Sequence, residues 1–264
     1  MTMNQLQLRT DLKSMEEQFA MALPEHIKPS HVQRVVMTEV QKNPKILDCT
    51  KDSILRAVTE ACQMGLVPNS VQGLAYMIPY GKTCQLIPGF RGLIKLCLQS
   101  GLVRSIRAAE VREHDEFSVQ QGSSWRLIHN IDITQDRGDV VAYYAVAELP
   151  GGSTDFEVMS EPDVTRFIEK IGKKSSEVWK NHREEMAKKT CIRRLVKRLP
   201  MEGDRIEHTR LAAAADYADD STVGMRFNQE IQEWEYQSGD PEANASASDL
   251  NKRTEDPEVA ENVA

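Results

Sequence analysis

The chain lacks any long apolar run, which excludes the simplest route into a membrane. Its 264 residues contain no stretch approaching the ~20 consecutive apolar residues that a membrane-spanning helix requires. The first 18 residues also lack the apolar segment and small-residue cleavage site of a secretory signal. We therefore expect the protein to remain in the cytoplasm.

Closely spaced cysteines are also absent. The chain has five cysteines, an odd number, and no two of them show the C-x-x-C spacing of zinc sites and redox pairs. This pattern favours reduced, buried thiols. The sequence accordingly predicts no metal site and no cofactor.

Motifs for nucleotide hydrolysis and acyl transfer are missing or incomplete. Gly81-Lys82-Thr83 matches the end of the phosphate-binding pattern G-x-x-x-x-G-K-[ST], but Tyr76 stands where the first glycine is required. No G-x-S-x-G elbow is present. We therefore expect a protein that is not an enzyme, and we treat Lys82, at a predicted hairpin tip, as a candidate DNA contact.

The segment His114-Asp115-Glu116 leaves one enzymatic alternative open. Adjacent carboxylates could bind a divalent metal in a DNA-processing nuclease, but such a centre needs several convergent carboxylates. No second acidic cluster lies on a comparable strand end. A turn between strands is the preferred interpretation, and a metal-dependent nuclease is the alternative.

The charge that is present is distributed unevenly. The net charge is −7, yet residues 1–200 contain 28 Lys and Arg against 24 Asp and Glu, whereas residues 201–264 contain 5 against 16. Residues 166–198 alone contain 12 basic against 4 acidic residues. This separation predicts a polyanion-binding domain over residues 1–200, followed by an acidic C-terminal region over residues 201–264.

Hydrophobic periodicity predicts an α+β fold. Apolar residues at helical spacing predict amphipathic helices before residue 65, and residues 74–87 predict a hairpin with its turn at Gly81. A short helix over residues 90–99 and five strands follow, and glycine-rich turns between the strands predict a largely antiparallel sheet. Two helices close the domain, over residues 161–171 and 177–199.

The acidic region is predicted to contain a short helical element, within residues 206–236, and then a disordered tail. Residues 238–264 have few aromatic or large apolar side chains and are rich in Ser, Ala, Asn and acids. Such a segment cannot bury enough apolar surface to offset the entropy lost on ordering.

The last predicted helix of the domain has two different faces. A core-facing stripe recurs at i, i+3, i+4 and i+7: Ile192, Leu195, Val196 and Leu199. The same spacing on the opposite side gives a polar face: Thr190, Arg193, Arg194 and Lys197. Residues 188–198 contain no acid, and Lys173 and Lys174 add charge in the preceding loop. We interpret this polar face, with Lys188 and Lys189, as a phosphate-binding surface.

The stretch Pro88-Gly89-Phe90-Arg91-Gly92 is a second candidate for DNA contact. Glycines on both sides of Phe90 and Arg91 allow close approach of the backbone to a ligand. Phe90 is equally suited to stacking on a base and to packing in the core, whereas Arg91 is the stronger candidate for contact.

Several segments occur in the order typical of one family. They include QMGL at residues 63–66, QLIPGFRG at residues 85–92, FEVM at residues 156–159, EEMAKKT at residues 184–190 and IRRL at residues 192–195. In these segments the chain resembles the RecT family of phage and prophage single-strand annealing proteins, of which the phage lambda beta protein is a distant relative. The likeness runs from about residue 15 to residue 200.

The resemblance implies both a fold and a function. The fold is a bent, largely antiparallel sheet packed against a long basic helix. The function is binding of single-stranded DNA and ATP-independent annealing of complementary strands in homologous recombination, by a homo-oligomeric ring or helical filament. The acidic tail is either a solubilising segment or a docking site, for which the family suggests a phage 5'-3' exonuclease and the host single-strand-binding protein as partners. The candidate DNA-binding residues are Lys82, Arg91, Lys173, Lys174, Lys188, Lys189, Thr190, Arg193, Arg194 and Lys197.

Overall fold

The computed structural model describes residues 4–172, 176–199, 210, 211 and 214, together with the backbone of residues 225–228 and 233–236. The chain divides into two units, Met1–Val223 and Gly224–Ala264. In the part of the chain that is described, no helix is both long enough and apolar enough to cross a membrane.

The N-terminal third is helical, as predicted. Its helices are α1 (Gln5–Ser14), α2 (Glu16–Ala22), α3 (Pro29–Lys42) and α4 (Lys51–Met64), with a 3-10 helix at Pro44–Asp48 before α4. Local signals set their ends. Pro29 provides the fixed φ of a first helical residue, and Gly65 ends α4 with a left-handed φ of 68°. The apolar stripes of these helices face a common core.

The predicted hairpin and the helix after it are confirmed. Strands β1 (Ala75–Tyr80) and β2 (Thr83–Pro88) pair antiparallel, with Gly81 in the turn at a φ of 54°. Helix α5 (Phe90–Ser100) begins immediately after β2 and ends before Gly101.

Two glycines at the beginning of α5 have a different role from the one predicted. A Cβ atom on Gly89 would lie 2.3 Å from the carbonyl oxygen of Gly73, and one on Gly92 would lie 2.0 Å from that of Leu74. The expectation that these glycines admit a ligand is therefore corrected. The chain before β1 occupies that space, so glycine is needed for the chain to pack against itself.

The central sheet is antiparallel, with three strands in the order β3-β6-β7. These strands are β3 (Ser105–Arg112), β6 (Val140–Glu148) and β7 (Thr154–Ser160), and the hairpin β4 (Glu116–Gln120) and β5 (Arg126–Asn130) lies between β3 and β6 in the sequence. The register pairs Glu110 with Tyr143 and Tyr143 with Met159. Because side chains alternate along a strand, these three residues share one face of the sheet.

The predicted packing of a basic helix against this sheet is also confirmed. Helix α6 (Glu161–Lys170) begins at a capping box formed by Ser160 and Asp163. The single helix predicted over residues 177–199 is in fact two, α7 (Glu177–Asn181) and α8 (Arg183–Arg198), because His182 leaves the helical conformation at a φ of −132°. Helix α8 contacts all three strands of the sheet and also α5.

The region after α8 contains an element that the sequence analysis did not predict. Leu211 and Ala214 are helical and buried in the core, in agreement with a helical element there. However, Met225–Asn228 and Glu233–Tyr236 form an antiparallel strand pair, β8 and β9, within the second unit. The predicted disordered tail over residues 238–264 lies outside the described residues.

Candidate nucleic-acid interface

Helix α8 is enclosed on two sides, which corrects one predicted contact residue. Thr190 was expected on an exposed polar face, but it is only 5% exposed, and its hydroxyl donates to the carbonyl oxygen of Met186 at 2.8 Å. The periodicity correctly identified a buried stripe, since Ile192, Leu195, Val196 and Leu199 are all in the core. It could not show that tertiary packing also buries Thr190.

The sheet also supplies acidic partners that are distant in sequence. The ammonium group of Lys188 lies 3.4 Å from a carboxylate oxygen of Glu110 on β3, and 2.6 Å from one of Glu185 in the preceding turn of α8. Burial alone would lower the pKa of Lys188, but these two carboxylates raise it. Although residues 188–198 contain no acid, the fold and the preceding helical turn thus supply carboxylates to Lys188.

The C-terminal half of α8 is paired in the same way. Glu157 on β7 accepts from Arg194 at 3.2 Å and from Arg198 at 2.7 Å, and Arg198 also contacts Asp155 at 3.1 Å. Arg198 further lies over the ring of Trp125, 5.5 Å from its centroid. The side chain of Arg194 nevertheless remains 50% exposed, so it can still reach a ligand.

A different group of cations meets at Phe90, where α5 and α8 touch. The half-buried ring of Phe90 packs against the core. The ammonium nitrogen of Lys189 lies over this ring, 5.3 Å from its centroid, and the guanidinium carbon of Arg91 lies 5.9 Å from the same point. Arg193, one helical turn after Lys189, is close enough to act on its charge. We call Arg91, Lys189 and Arg193 the Phe90 cation cluster.

Within this cluster, the surroundings of Lys189 disfavour its positive charge. Burial, with smaller contributions from the positive charges of Arg193 and Arg91, lowers the pKa of Lys189 to about 8, although Glu185 acts in the opposite direction. An anion bound at this cluster would favour the charged form of Lys189 and offset the repulsion from the two arginines.

The other predicted DNA-binding residues are not part of this cluster, and two of them lie outside the residues that the structure describes. Lys82 is exposed at the tip of the β1–β2 hairpin, and its carbonyl oxygen accepts from the N–H of Thr50 at 2.8 Å. Lys197 is half-buried on the last turn of α8. Lys173 and Lys174 lie outside the described residues.

Asp115, the centre of the nuclease alternative, is engaged in a buried network. Its side chain is 1% exposed and accepts two bonds from Arg137, at 2.8 and 2.7 Å, and one at 2.7 Å from the N–H of Arg112. His129 on β5 lies 3.0 Å from the same carboxylate, and its other ring nitrogen lies 3.1 Å from the hydroxyl of Tyr144 on β6. The hydrogen bonds from Arg137 are the largest cause holding the pKa of Asp115 well below its usual range.

This network gives Asp115 a structural role. It fastens the β4–β5 hairpin to β6, in agreement with the interpretation of residues 114–116 as a turn between strands. Within residues 4–172 and 176–199, no group of three or more His, Cys, Asp or Glu is placed to hold a metal ion.

Comparison with known proteins identifies similar chains. A family model described as the RecT family matches residues 30–230. Protein RecT of Escherichia coli (strain K12) is 42% identical over 198 residues, which cover 71% of this chain and 72% of that protein. An uncharacterized protein of Bacillus subtilis (strain 168), YqaK, is 28% identical over 142 residues, which cover 53% of this chain and 49% of the relative.

Proposed function

Because the chain belongs to the RecT family of recombination and strand-annealing proteins, we propose that it binds single-stranded DNA and anneals it to a complementary strand without ATP. The observation that carries this proposal is the Phe90 cation cluster. Arg91 and Lys189, from two helices, lie over a half-buried aromatic ring, and Arg193 lies near enough to act on the charge of Lys189. The pKa of Lys189 is lowered by burial and by these basic neighbours.

Phosphate is the anion that suits this cluster best. The guanidinium groups of Arg91 and Arg193 can each bind two phosphate oxygens, and Lys189 adds a point charge between them. Contacts of this kind position a strand without reading its sequence. The bases therefore stay available for Watson–Crick pairing, and specificity comes from the second strand.

Arg194 and Lys82 extend the proposed surface beyond the cluster. Arg194 is half exposed on the neighbouring side of α8 and shares Glu157 with Arg198, so a phosphate there competes with a carboxylate. Lys82 is carried by a separate hairpin, and we propose it as a peripheral contact. Thr190, by contrast, is no longer part of the proposal.

The salt dependence of binding tests the cluster directly. A fluorescent oligothymidine is titrated with the full-length protein over a series of salt concentrations, and fluorescence anisotropy reports the dissociation constant. Each lost phosphate contact on a single strand should reduce the slope of log K against log salt by about 0.7. We expect this reduction for Arg91→Ala and about twice as much for the double variant with Arg193→Ala.

The matched control removes an arginine elsewhere in the same unit. Arg104 is 62% exposed, lies immediately before β3 and pairs loosely with Glu148 at 3.9 Å. Arg104→Ala should leave the slope unchanged. If the two cluster variants fold and yet bind with the slope of Arg104→Ala, the cluster is not the binding surface.

Assembly and partners remain part of the proposal. We propose that copies of the chain line up their clusters in a ring or filament, so that one strand crosses several subunits, and that the acidic region contacts an exonuclease or a single-strand-binding protein. Mass photometry with and without oligonucleotide tests the proposed assembly.

Truncation after Tyr236 tests the proposed partner binding, since capture of the partner should be lost while annealing is kept.

A further inference from the structure

Two of the five cysteines are brought together from different parts of the chain. Cys49 follows the 3-10 helix at Pro44–Asp48, and Cys84 lies on β2. The N–H of Thr50 donates to the carbonyl oxygen of Lys82 at 2.8 Å. The N–H of Cys84 donates to the hydroxyl of Ser53 at 3.0 Å, a bond that is itself buried. The backbones around both cysteines are therefore held together from two sides.

The two thiols lie close enough to influence each other's ionisation. Each cysteine is 4% exposed. Their interaction lowers the pKa of Cys49 and raises that of Cys84. One sulfur of the pair is thus favoured as the thiolate and the other retains its proton, an asymmetry typical of an attacking and a resolving cysteine.

The other three cysteines differ. Burial raises the pKa of each of Cys62, Cys97 and Cys191 to about 12, which disfavours the reactive thiolate. The absence of C-x-x-C spacing concealed the pair, because the fold, and not the local sequence, places its two members side by side.

We propose that Cys49 and Cys84 form a modification site, which hydrogen peroxide converts into a reversible intramolecular disulfide. The Cys49 thiolate attacks one peroxide oxygen, the O–O bond breaks, and with one proton a sulfenic acid and a water result. The Cys84 sulfur then attacks the sulfenic sulfur, the S–O bond breaks, and the second water leaves with the Cys84 proton. The two thiols lose two electrons, and the peroxide gains them.

The bridge would tie the β1–β2 hairpin, with Lys82 at its tip, to the beginning of α4. Hydrogen bonds already hold the backbones beside both cysteines together, so we expect bond formation to need side-chain adjustment and no rearrangement of the strands. A cross-link between residues this far apart restricts the unfolded chain, and we expect the melting temperature to rise by about 5 °C or more on oxidation. The inference does not depend on DNA binding.

Mass spectrometry of the full-length protein tests the proposal. The reduced protein is treated with a small excess of hydrogen peroxide, alkylated, and analysed both intact and as peptides. The expected result is a loss of two hydrogens, a peptide that links Cys49 to Cys84, and reversal by dithiothreitol. In Cys84→Ser the link should be replaced by a Cys49 sulfenic acid that dimedone traps, whereas Cys62→Ser should behave as the original protein.

Two results would overturn the proposal. One is that Cys49 and Cys84 are both still alkylated as free thiols after peroxide treatment of the folded protein. The other is that peroxide links either cysteine to Cys62, Cys97 or Cys191, or oxidises Cys49 in the original protein without forming a link. Circular dichroism of each variant establishes that the comparison is made between folded proteins.

Discussion

Lys189 is the residue at which burial and charge conflict most directly. Its pKa, lowered to about 8 by burial and by Arg193 and Arg91, makes its charge sensitive to pH in a range where an ordinary lysine stays protonated. A bound phosphate favours the charged form and therefore raises this pKa. Binding then takes up a proton above pH 8, so affinity must fall as the pH rises.

We predict that the dissociation constant for oligothymidine increases by up to about tenfold between pH 7 and pH 9 at constant ionic strength. Lys189→Arg, which keeps its charge over this range, should give a flat profile. Lys180→Arg is the control, because Lys180 is exposed and pairs with Glu177 away from the cluster. An equal pH dependence in both variants would refute a role for Lys189 ionisation.

Asp115 illustrates a residue whose chemistry serves the fold. Its lowered pKa means that the ionised carboxylate stabilises the folded state above the pKa of the unfolded chain, near 4, and that this stability is lost as the pH falls. We predict that Asp115→Asn lowers the melting temperature at pH 7 by about 5 °C, because an amide cannot satisfy Arg137 and His129 together.

The difference between Asp115→Asn and the original protein should shrink on acidification to about pH 3, because the carboxyl group gains a proton in the unfolded chain there while it stays ionised in the folded protein. Glu116→Gln is the matched control, since Glu116 is exposed and contacts only the side chain of Asn130 among its described hydrogen bonds. Equal melting temperatures for the two variants at pH 7 would show that the Asp115 network does not hold the hairpin.

At the scale of single elements, α8 shows how much local sequence can predict. The helix and its apolar stripe follow from periodicity, whereas its packing on an antiparallel sheet was expected from the family resemblance. The carboxylates that face it were not predictable, because Glu110 and Glu157 come from strands far away in the sequence. The burial of Thr190 was missed for the same reason, since it depends on the tertiary fold.

Gly89 and Gly92 also show what local sequence can and cannot predict. Gly89 and Gly92 were correctly identified as positions of close approach. What approaches is the backbone at Gly73 and Leu74, and no local pattern distinguishes a neighbouring chain segment from a ligand. Capping signals such as the Ser160 box were predictable because both partners lie within one turn.

The pairing of α8 with β7 has a consequence for affinity. Glu157 holds Arg194 and Arg198, so it competes with phosphate for both guanidinium groups. We predict that Glu157→Gln tightens binding of single-stranded DNA about two- to threefold, and that it steepens the salt dependence as Arg194 becomes available.

Glu148→Gln provides the comparison for this prediction. Glu148 is another carboxylate of the sheet, 44% exposed, and its ion pair is with Arg104 and not with α8. Anisotropy titrations at low salt measure both variants. Weaker binding by Glu157→Gln, or equal effects of the two substitutions, would show that Glu157 does not restrain the arginines of α8.

At the scale of the whole molecule, charge is separated along the chain. The first 200 residues are slightly basic and the last 64 strongly acidic, so a net charge of −7 conceals a surface suited to a polyanion. Within the described part of the first 200 residues, carboxylates of the sheet pair with several cations of α8, and we propose the Phe90 cation cluster as the place where a strand binds. In this proposal the protein binds phosphates and leaves the bases exposed for annealing.

Annealing kinetics test whether the protein pairs complementary strands. Two complementary oligonucleotides are added to the protein one after the other, without ATP, and duplex formation is followed over a salt series. We expect annealing faster than the protein-free rate, with the acceleration fading as salt increases. No acceleration at any salt concentration, or degradation of the strands once magnesium is added, would contradict it.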